Sequence, residues 1–227
     1  MTQAFPFVFR LYDKTSGQSK GLDIEMIQSL DVRRPVYVLM DSWHPSKTMV
    51  KACRKKVPRH CDDQDESALY PKGVAIQAKQ FAQYIEPEDT YLVTVGEDTY
   101  RVYRYEGPLK DIDDAVVLLA WKANGPMTTQ HLHCVLSTDR ELSDEEILRY
   151  YAQRWSIESF FRQSKDQLKL DGYLVRQRRA AKRYWILVQL AYVYSMVESK
   201  SDFSAGLDLL RKKKGHSLVE FIYDAAK

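Results

Sequence analysis

The sequence predicts an α/β fold, a mostly buried sheet with helices packed against it. Three observations lead there. β-prone runs fill the first two thirds of the 227 residues, at 5–12, 35–41, 91–95, 99–105, 114–121 and 131–137. Helix-forming stretches follow one another to the carboxyl end, and a capping signal marks where the change happens. A chain of this length buries a core as one domain, or as one domain carrying an insertion. Its composition, 44% hydrophobic and 29% charged, is ordinary for a water-soluble globular protein.

Residues 5–12 are apolar and aromatic enough for a strand, and the polar, glycine-bearing residues 14–21 read as loop. Leu22, Ile24, Met26, Ile27 and Leu30 suit a short amphipathic helix. Residues 35–41, bounded by Pro35 and ending in Asp41, form a continuous apolar run expected to be a central strand buried on both faces. A carboxylate at the end of such a strand occupies a ligand-binding position in open α/β sheets. Ser46 is placed to cap a helix through about Arg54. Residues 55–75 are polar and irregular, with an acidic loop between His60 and Glu66, and residues 76–85 permit a short helix. Two strands, 91–95 and 99–105, pair as a hairpin about Gly96, Glu97 and Asp98. Strands at 114–121 and 131–137 follow. Tyr100, Tyr103, Tyr105 and Trp121 fit either base stacking or, more simply, cross-strand packing.

Ser143 with Glu146 three residues on is a capping box. It starts a helical stretch that ends near Gly172. Helices over about 180–199 and between Leu207 and Tyr223 complete the chain. The most apolar stretch, 184–196, is too short to span a bilayer, contains Gln189, and reads as a buried helix. The amino end lacks a basic segment and a long apolar run, so it does not read as a signal peptide. Three cysteines without a CxxC pair indicate a reducing compartment. Net charge is only +3, but its distribution is uneven. Arg176, Arg178, Arg179, Lys182 and Arg183 stand together without an acid, and Arg211 to Lys214 form a second basic run. Such clusters fit phosphate contacts, as they fit a solvated surface.

Residues 151–165 contain neither Pro nor Gly and read as one helix. At about 100° per residue, Tyr151, Arg154, Glu158 and Lys165 fall on one face. Trp155, Ile157, Phe160, Phe161 and Leu168 supply the apolar surface that docks the helix. A carboxylate between an Arg and a Lys suits a divalent cation beside a polyanion. The spacing of Tyr, two residues, Arg, three residues, Glu, six residues, Lys resembles, without a gap, the signature of the DDE transposases of bacterial insertion sequences. The run from Arg154 to Phe161 is similar to that family's Arg-Trp-x-Ile-Glu-x-x-Phe segment. Asp41, Ser42, Trp43 and His44 resemble the context of its second catalytic Asp, with His44 where Tyr is usual.

The resemblance implies a ribonuclease H-like core with a β-rich insertion between Asp41 and Glu158. The expected organisation is a partial core over 1–58, insertion and returning strand over 59–138, and a helical part over 139–227. It implies metal-dependent DNA cleavage and strand transfer, with Asp41 and Glu158 as catalytic ligands to Mg²⁺ or Mn²⁺. Tyr151, Arg154 and Lys165 would contact DNA, joined by Arg176, Arg178 and Arg179. Partners would be transposon ends and target DNA, with a homo-oligomer on DNA, no membrane, and a bacterial cytoplasmic, nucleoid-associated location.

One element of the family's triad is not recognisable. Its first Asp ends the first strand of the core, two strands and a helix before the second. Asp13 and Asp23 sit in or beside a loop. The sequence therefore reads as an amino-terminally truncated copy, inactive alone for want of the first Asp. A non-catalytic DNA-binding or regulatory remnant is the alternative. A zinc site built on His131 and His133 with Cys61 or Cys134 matches no recognised ligand spacing.

Overall fold

A computed structural model describes Pro6 and residues 19–29, 37–39, 59–63, 68–109, 112–174 and 177–225. The expected first strand, Pro6 apart, and the helix after Asp41 lie outside these residues. The chain divides into two compact units, Tyr12–Arg154 and Met1–Leu11 with Trp155–Lys227.

The first unit is built on an eight-stranded sheet. Its elements are α1 (Ser19–Ser29), β1 (Tyr37–Leu39), β2 (Arg59–Asp63), β3 (Ala68–Leu69), β4 (Ile76–Gln77), a single turn α2 (Ala78–Phe81), β5 (Tyr91–Val95), β6 (Asp98–Leu109), β7 (Ile112–Lys122), β8 (His133–Ser137) and α3 (Asp144–Arg154). Strand order is β1-β2-β8-β7-β6-β3-β4, with β5 also on β6. Among the described residues, β1 and β2 pair in parallel and the remaining pairs are antiparallel. The β5–β6 hairpin closes as expected, through Gly96 and Glu97, with Val95 opposite Asp98. Gly96 takes φ +61°, the left-handed value that a two-residue hairpin loop demands.

Two expectations are corrected here. The strands buried on both faces are β7, where every residue from Ala115 to Trp121 is buried, and β8 from Cys134 to Ser137, whereas β1 is half-buried and, among the described residues, stands at the end of the sheet. Odd residues of β7, Ala115 to Trp121, join one apolar cluster under α2 with Leu69, Ala78 and Leu136. Even residues, Val116, Leu118 and Ala120, join the other with Val102, Val135, Ile147 and Leu148 of α3. The expected acidic loop is in part strand β2, because pairing to Leu136 and Val135 of β8 outweighs the poor β propensity of Asp62 and Asp63.

Burial also settles the role of the aromatic side chains. Trp121 is buried with its Nε1 donating to Thr128 O at 3.1 Å, and the buried Tyr105 donates its hydroxyl to Pro108 O at 2.9 Å. Tyr103 meets Phe81 edge to face at 5.5 Å, and Tyr100 packs on the α3 cluster. They serve packing.

The second unit is helical: α4 (Ser156–Leu168), α5 (Arg178–Glu198) and α6 (Phe203–Ala225). Residues 151–165 are therefore two helices, not one. Trp155 separates them with ψ −13°, about 30° short of the α-helical value, enough to interrupt the i→i−4 ladder. Helix α4 ends where Lys169 turns left-handed (φ 57°) and Leu170 N–H bonds Ser164 O at 3.0 Å. Its core is aromatic: Phe160 meets Tyr192 edge to face at 4.9 Å, and Tyr192 stacks on Phe203 at 4.6 Å. Helices α5 and α6 meet at Gly206, whose Cβ, were there one, would stand 1.8 Å from Ser195 O. Helix α5, expected to be buried, is buried on one face only, through Ala181, Val188, Tyr192, Ser195 and Met196.

Candidate active site

The described part of strand β1 ends at Leu39, two residues before Asp41 in sequence, and Asp41 and Arg176 both lie outside the described residues. What positions the strand is nonetheless visible. Tyr37 stacks on Tyr150 of α3, ring centroids 4.4 Å apart, and Leu39 packs into the same cluster as Tyr151. The Tyr37 hydroxyl donates to Asp139 Oδ2 at 3.2 Å. Asp139 is itself buried, accepting Glu141 N–H on Oδ1 (3.2 Å) and donating its own N–H to Ser137 Oγ (3.1 Å). The last two turns of α3 therefore lie over the strand that leads to Asp41.

The start of α3 is held as firmly. Ser143 N–H donates to Glu146 Oε2 at 3.0 Å while Glu146 N–H donates to Ser143 Oγ at 3.3 Å, the expected capping box. Arg104 of β6 reaches across to donate to Asp144 Oδ1 (2.5 Å), Leu142 O (3.2 Å), Arg140 O (3.1 Å) and Glu106 Oε1 (2.6 Å). Arg140 adds contacts to Glu106 and Asp114, and Tyr91 donates its hydroxyl to Asp144. Hydrogen bonds from Arg104 and then Arg140 hold the Glu106 carboxyl below its ordinary range. Burial works against the Arg104 charge, but its bonds to Asp144 and Glu106 more than offset that, and its pKa is raised. Burial, then the bond to Asp144, raises the Tyr91 phenol.

Of the four motif side chains, Tyr151 and Arg154 sit on α3, with the guanidinium 5.7 Å from the Tyr151 ring centroid, a cation–π contact. Glu158 and Lys165 sit on α4. Glu158 is half-buried in the first turn, where the helix dipole favours a carboxylate, and its Oε2 is screened from solvent. Lys165 is exposed two turns on, roughly 10 Å along the axis. The opposite side of α4 is the anchored one: Tyr192 hydroxyl donates to Gln163 Oε1 at 3.0 Å, Gln167 Nε2 donates to Ser204 Oγ at 3.0 Å, and Phe160 and Leu168 pack on Met196 and Leu207. Trp155, Ile157 and Phe161, expected to dock this helix, are exposed.

Arg162, which sequence reasoning passed over, is exposed one turn after Glu158 and three residues before Lys165. The i, i+4, i+7 spacing of Glu158, Arg162 and Lys165 was the available signal. Arg178 and Arg179 are exposed in the first turn of α5. Asp23 falls inside α1. His131 Nδ1 bonds Thr128 Oγ1 at 2.8 Å, while Cys134 is buried. No three His, Cys, Asp or Glu side chains gather as a metal cluster among the described residues.

The family model for the transposase DDE domain matches residues 4–194, most of the chain. This chain belongs to the transposase DDE domain family. Its mixed fold, with a largely antiparallel sheet, accords with the family's ribonuclease H-like core. A transposase of this family acts on DNA, and the family uses divalent metal ions. The matched region runs from before β1 to within α5 and so contains Asp41 and every motif residue of this transposase domain. No curated protein matches the sequence. Among the described residues, no helix is long and apolar enough to cross a membrane.

Proposed function

We propose that the protein is the catalytic domain of an insertion-sequence transposase, carrying two of the three carboxylates for DNA cleavage and strand transfer. The observation that carries this reading is the transposase-domain match over residues 4–194, which contains the unbroken Tyr151, Arg154, Glu158 and Lys165 signature. Asp41 and Glu158 are the proposed metal ligands. Hard carboxylate oxygens suit Mg²⁺ or Mn²⁺, which accept a few such ligands and fill the remainder with water and phosphate oxygens. The metal would polarise the phosphodiester and stabilise the leaving oxygen.

The chain's own groups do the rest. Arg154 neutralises or orients a phosphate, Lys165 adds a second phosphate contact, and Tyr151 donates to a phosphate oxygen or stacks on a sugar or base. Arg176, Arg178 and Arg179 extend the contact along the DNA backbone. The first Asp of the triad is proposed not to be among these 227 residues.

Metal binding tests the site. The purified chain is expected to bind Mn²⁺ weakly, and Asp41→Ala and Glu158→Ala are each expected to abolish that binding. Unchanged binding in both variants would sink the assignment. The 227-residue chain alone is expected not to join DNA, and Mg²⁺-dependent joining lost in Glu158→Ala would overturn the missing-carboxylate reading. The exposed Arg178 and Arg179 favour a second reading, a non-catalytic DNA-binding or regulatory remnant. DNA binding that is indifferent to metal, with no Mn²⁺ site, would select it.

A further inference from the structure

Helix α4 is fastened on one side and carries its charged motif residues on the other. Around the helix, Gln163, Gln167 and Phe160 lie roughly 140° to 200° from Glu158, whereas Arg162 and Lys165 lie within about 40° of it. Two kinds of contact fasten the first side. Phe160 and Leu168 pack on the apolar cluster of Tyr192, Met196, Phe203 and Leu207. Gln163 Oε1 accepts the Tyr192 hydroxyl of α5 at 3.0 Å, and Gln167 Nε2 donates to Ser204 Oγ of α6 at 3.0 Å.

The two kinds of contact differ in what they fix. Apolar packing is non-directional, so it draws α4 onto α5 and α6 without setting how far the helix is rolled about its own axis. Hydrogen bonds are directional, and these two stand one turn apart on a single stripe. Both partners are themselves held. The Tyr192 ring is buried, edge to face on Phe160 at 4.9 Å and stacked on Phe203 at 4.6 Å. Burial raises its phenol, which stays protonated and a donor. A roll of α4 that broke its bond would leave that buried donor unsatisfied. Ser204 stands in the first turn of α6, which Asp202 Oδ1 caps by accepting Ala205 N–H at 2.9 Å.

Magnitudes show why the roll matters. A side-chain tip stands on the order of 6 Å from the helix axis, so a roll of about 5° carries the Glu158 carboxylate about 0.5 Å sideways. That displacement is the whole tolerance of a built metal site, because Mg²⁺ demands near-ideal geometry around short metal–oxygen contacts. Two bonds on the far side of the helix therefore govern a carboxylate they do not touch.

Resting on the assignment of Glu158 as a metal ligand, we propose that Tyr192 and Ser204 are positioning residues. Through Gln163 and Gln167 they fix the roll of α4, and so the direction in which Glu158 presents its carboxylate to a divalent cation. Mn²⁺ titration of the full chain, followed by water-proton relaxation, tests this. Tyr192→Phe combined with Ser204→Ala is expected to raise the Mn²⁺ dissociation constant at least about tenfold, the effect of losing a contact that orients a ligand. Either substitution alone should cost less, since the other bond remains. Ser204→Thr keeps the hydroxyl and should bind Mn²⁺ like the unsubstituted chain. Far-ultraviolet circular dichroism should be the same in every variant, because Phe keeps the ring packing and Ser204 is only half-buried. If the double variant does not fold, Ser204→Ala against Ser204→Thr decides. Unchanged affinity in a folded double variant, where Glu158→Ala loses the ion, overturns the positioning role alone, and so do equal affinities in Ser204→Ala and Ser204→Thr. Mn²⁺ binding that is absent from the unsubstituted chain, or that survives Glu158→Ala, removes the ligand assignment and the positioning role with it.

Discussion

Two glycines of α6 separate contact from propensity. At Gly206 a Cβ would meet Ser195 O at 1.8 Å, a clash with backbone that no rotamer relieves. At Gly215 nothing lies within 4 Å. Gly206→Ala is therefore expected to lower stability by about 3 kcal/mol, the upper range for overpacking. Gly215→Ala should raise it by about 0.5–1 kcal/mol through helix propensity alone. Denaturant midpoints at constant slope would check both, and equal effects would mean that the α5–α6 contact is not the determinant. Arg104 is the other single residue on which much depends, because its guanidinium closes on two carboxylates and two carbonyls at once. Lys in its place keeps the charge but loses the planar fork.

At the level of elements, α3 is fixed at both ends. Its cap is the simpler test. Ser143→Ala removes the acceptor for Glu146 N–H and should cost about 1 kcal/mol, read from thermal or denaturant unfolding. The Arg104–Glu106–Arg140 contacts add a dependence on pH. The Glu106 carboxyl is lowered in the folded state, so its contribution is present above the ordinary carboxylate range and is lost as pH falls through and below it. Stability is expected to decline between about pH 5 and pH 3, and Glu106→Gln should flatten that part of the curve. The effect should be at most about 1 kcal/mol, because Glu106 is partly exposed and solvent screens the pair. An unaltered curve in Glu106→Gln would show that other carboxylates govern the acid limb.

For the whole molecule, a net charge of only +3 cannot by itself hold a polyanion. On the proposed reading, affinity for DNA comes from local clusters such as the exposed Arg178 and Arg179 in the first turn of α5. Changing Arg178 and Arg179 together to Ala should weaken duplex binding and reduce the slope of log affinity against log salt by about 1 to 2. An identical slope would remove these two residues from the DNA contact.

Much of this protein is written locally. The hairpin about Gly96, the capping box at Ser143, the helix end near Gly172 and the Tyr151–Lys165 signature depend on neighbours a few residues away, and the family follows from the signature. Tertiary structure decided the remainder. The run at 35–41 and the run in β7 are alike in composition, yet β7 lies mid-sheet with apolar clusters on both faces, while β1 (Tyr37–Leu39) stands at the end of the sheet among the described residues. Asp62 and Asp63 are strand residues because they pair with Leu136 and Val135 of β8. Trp155 parts two helices that propensity would join, and α5 shows an apolar face that periodicity would bury. Burial and pairing are set by segments distant in sequence, so a local pattern fixes what an element is and leaves open what covers it.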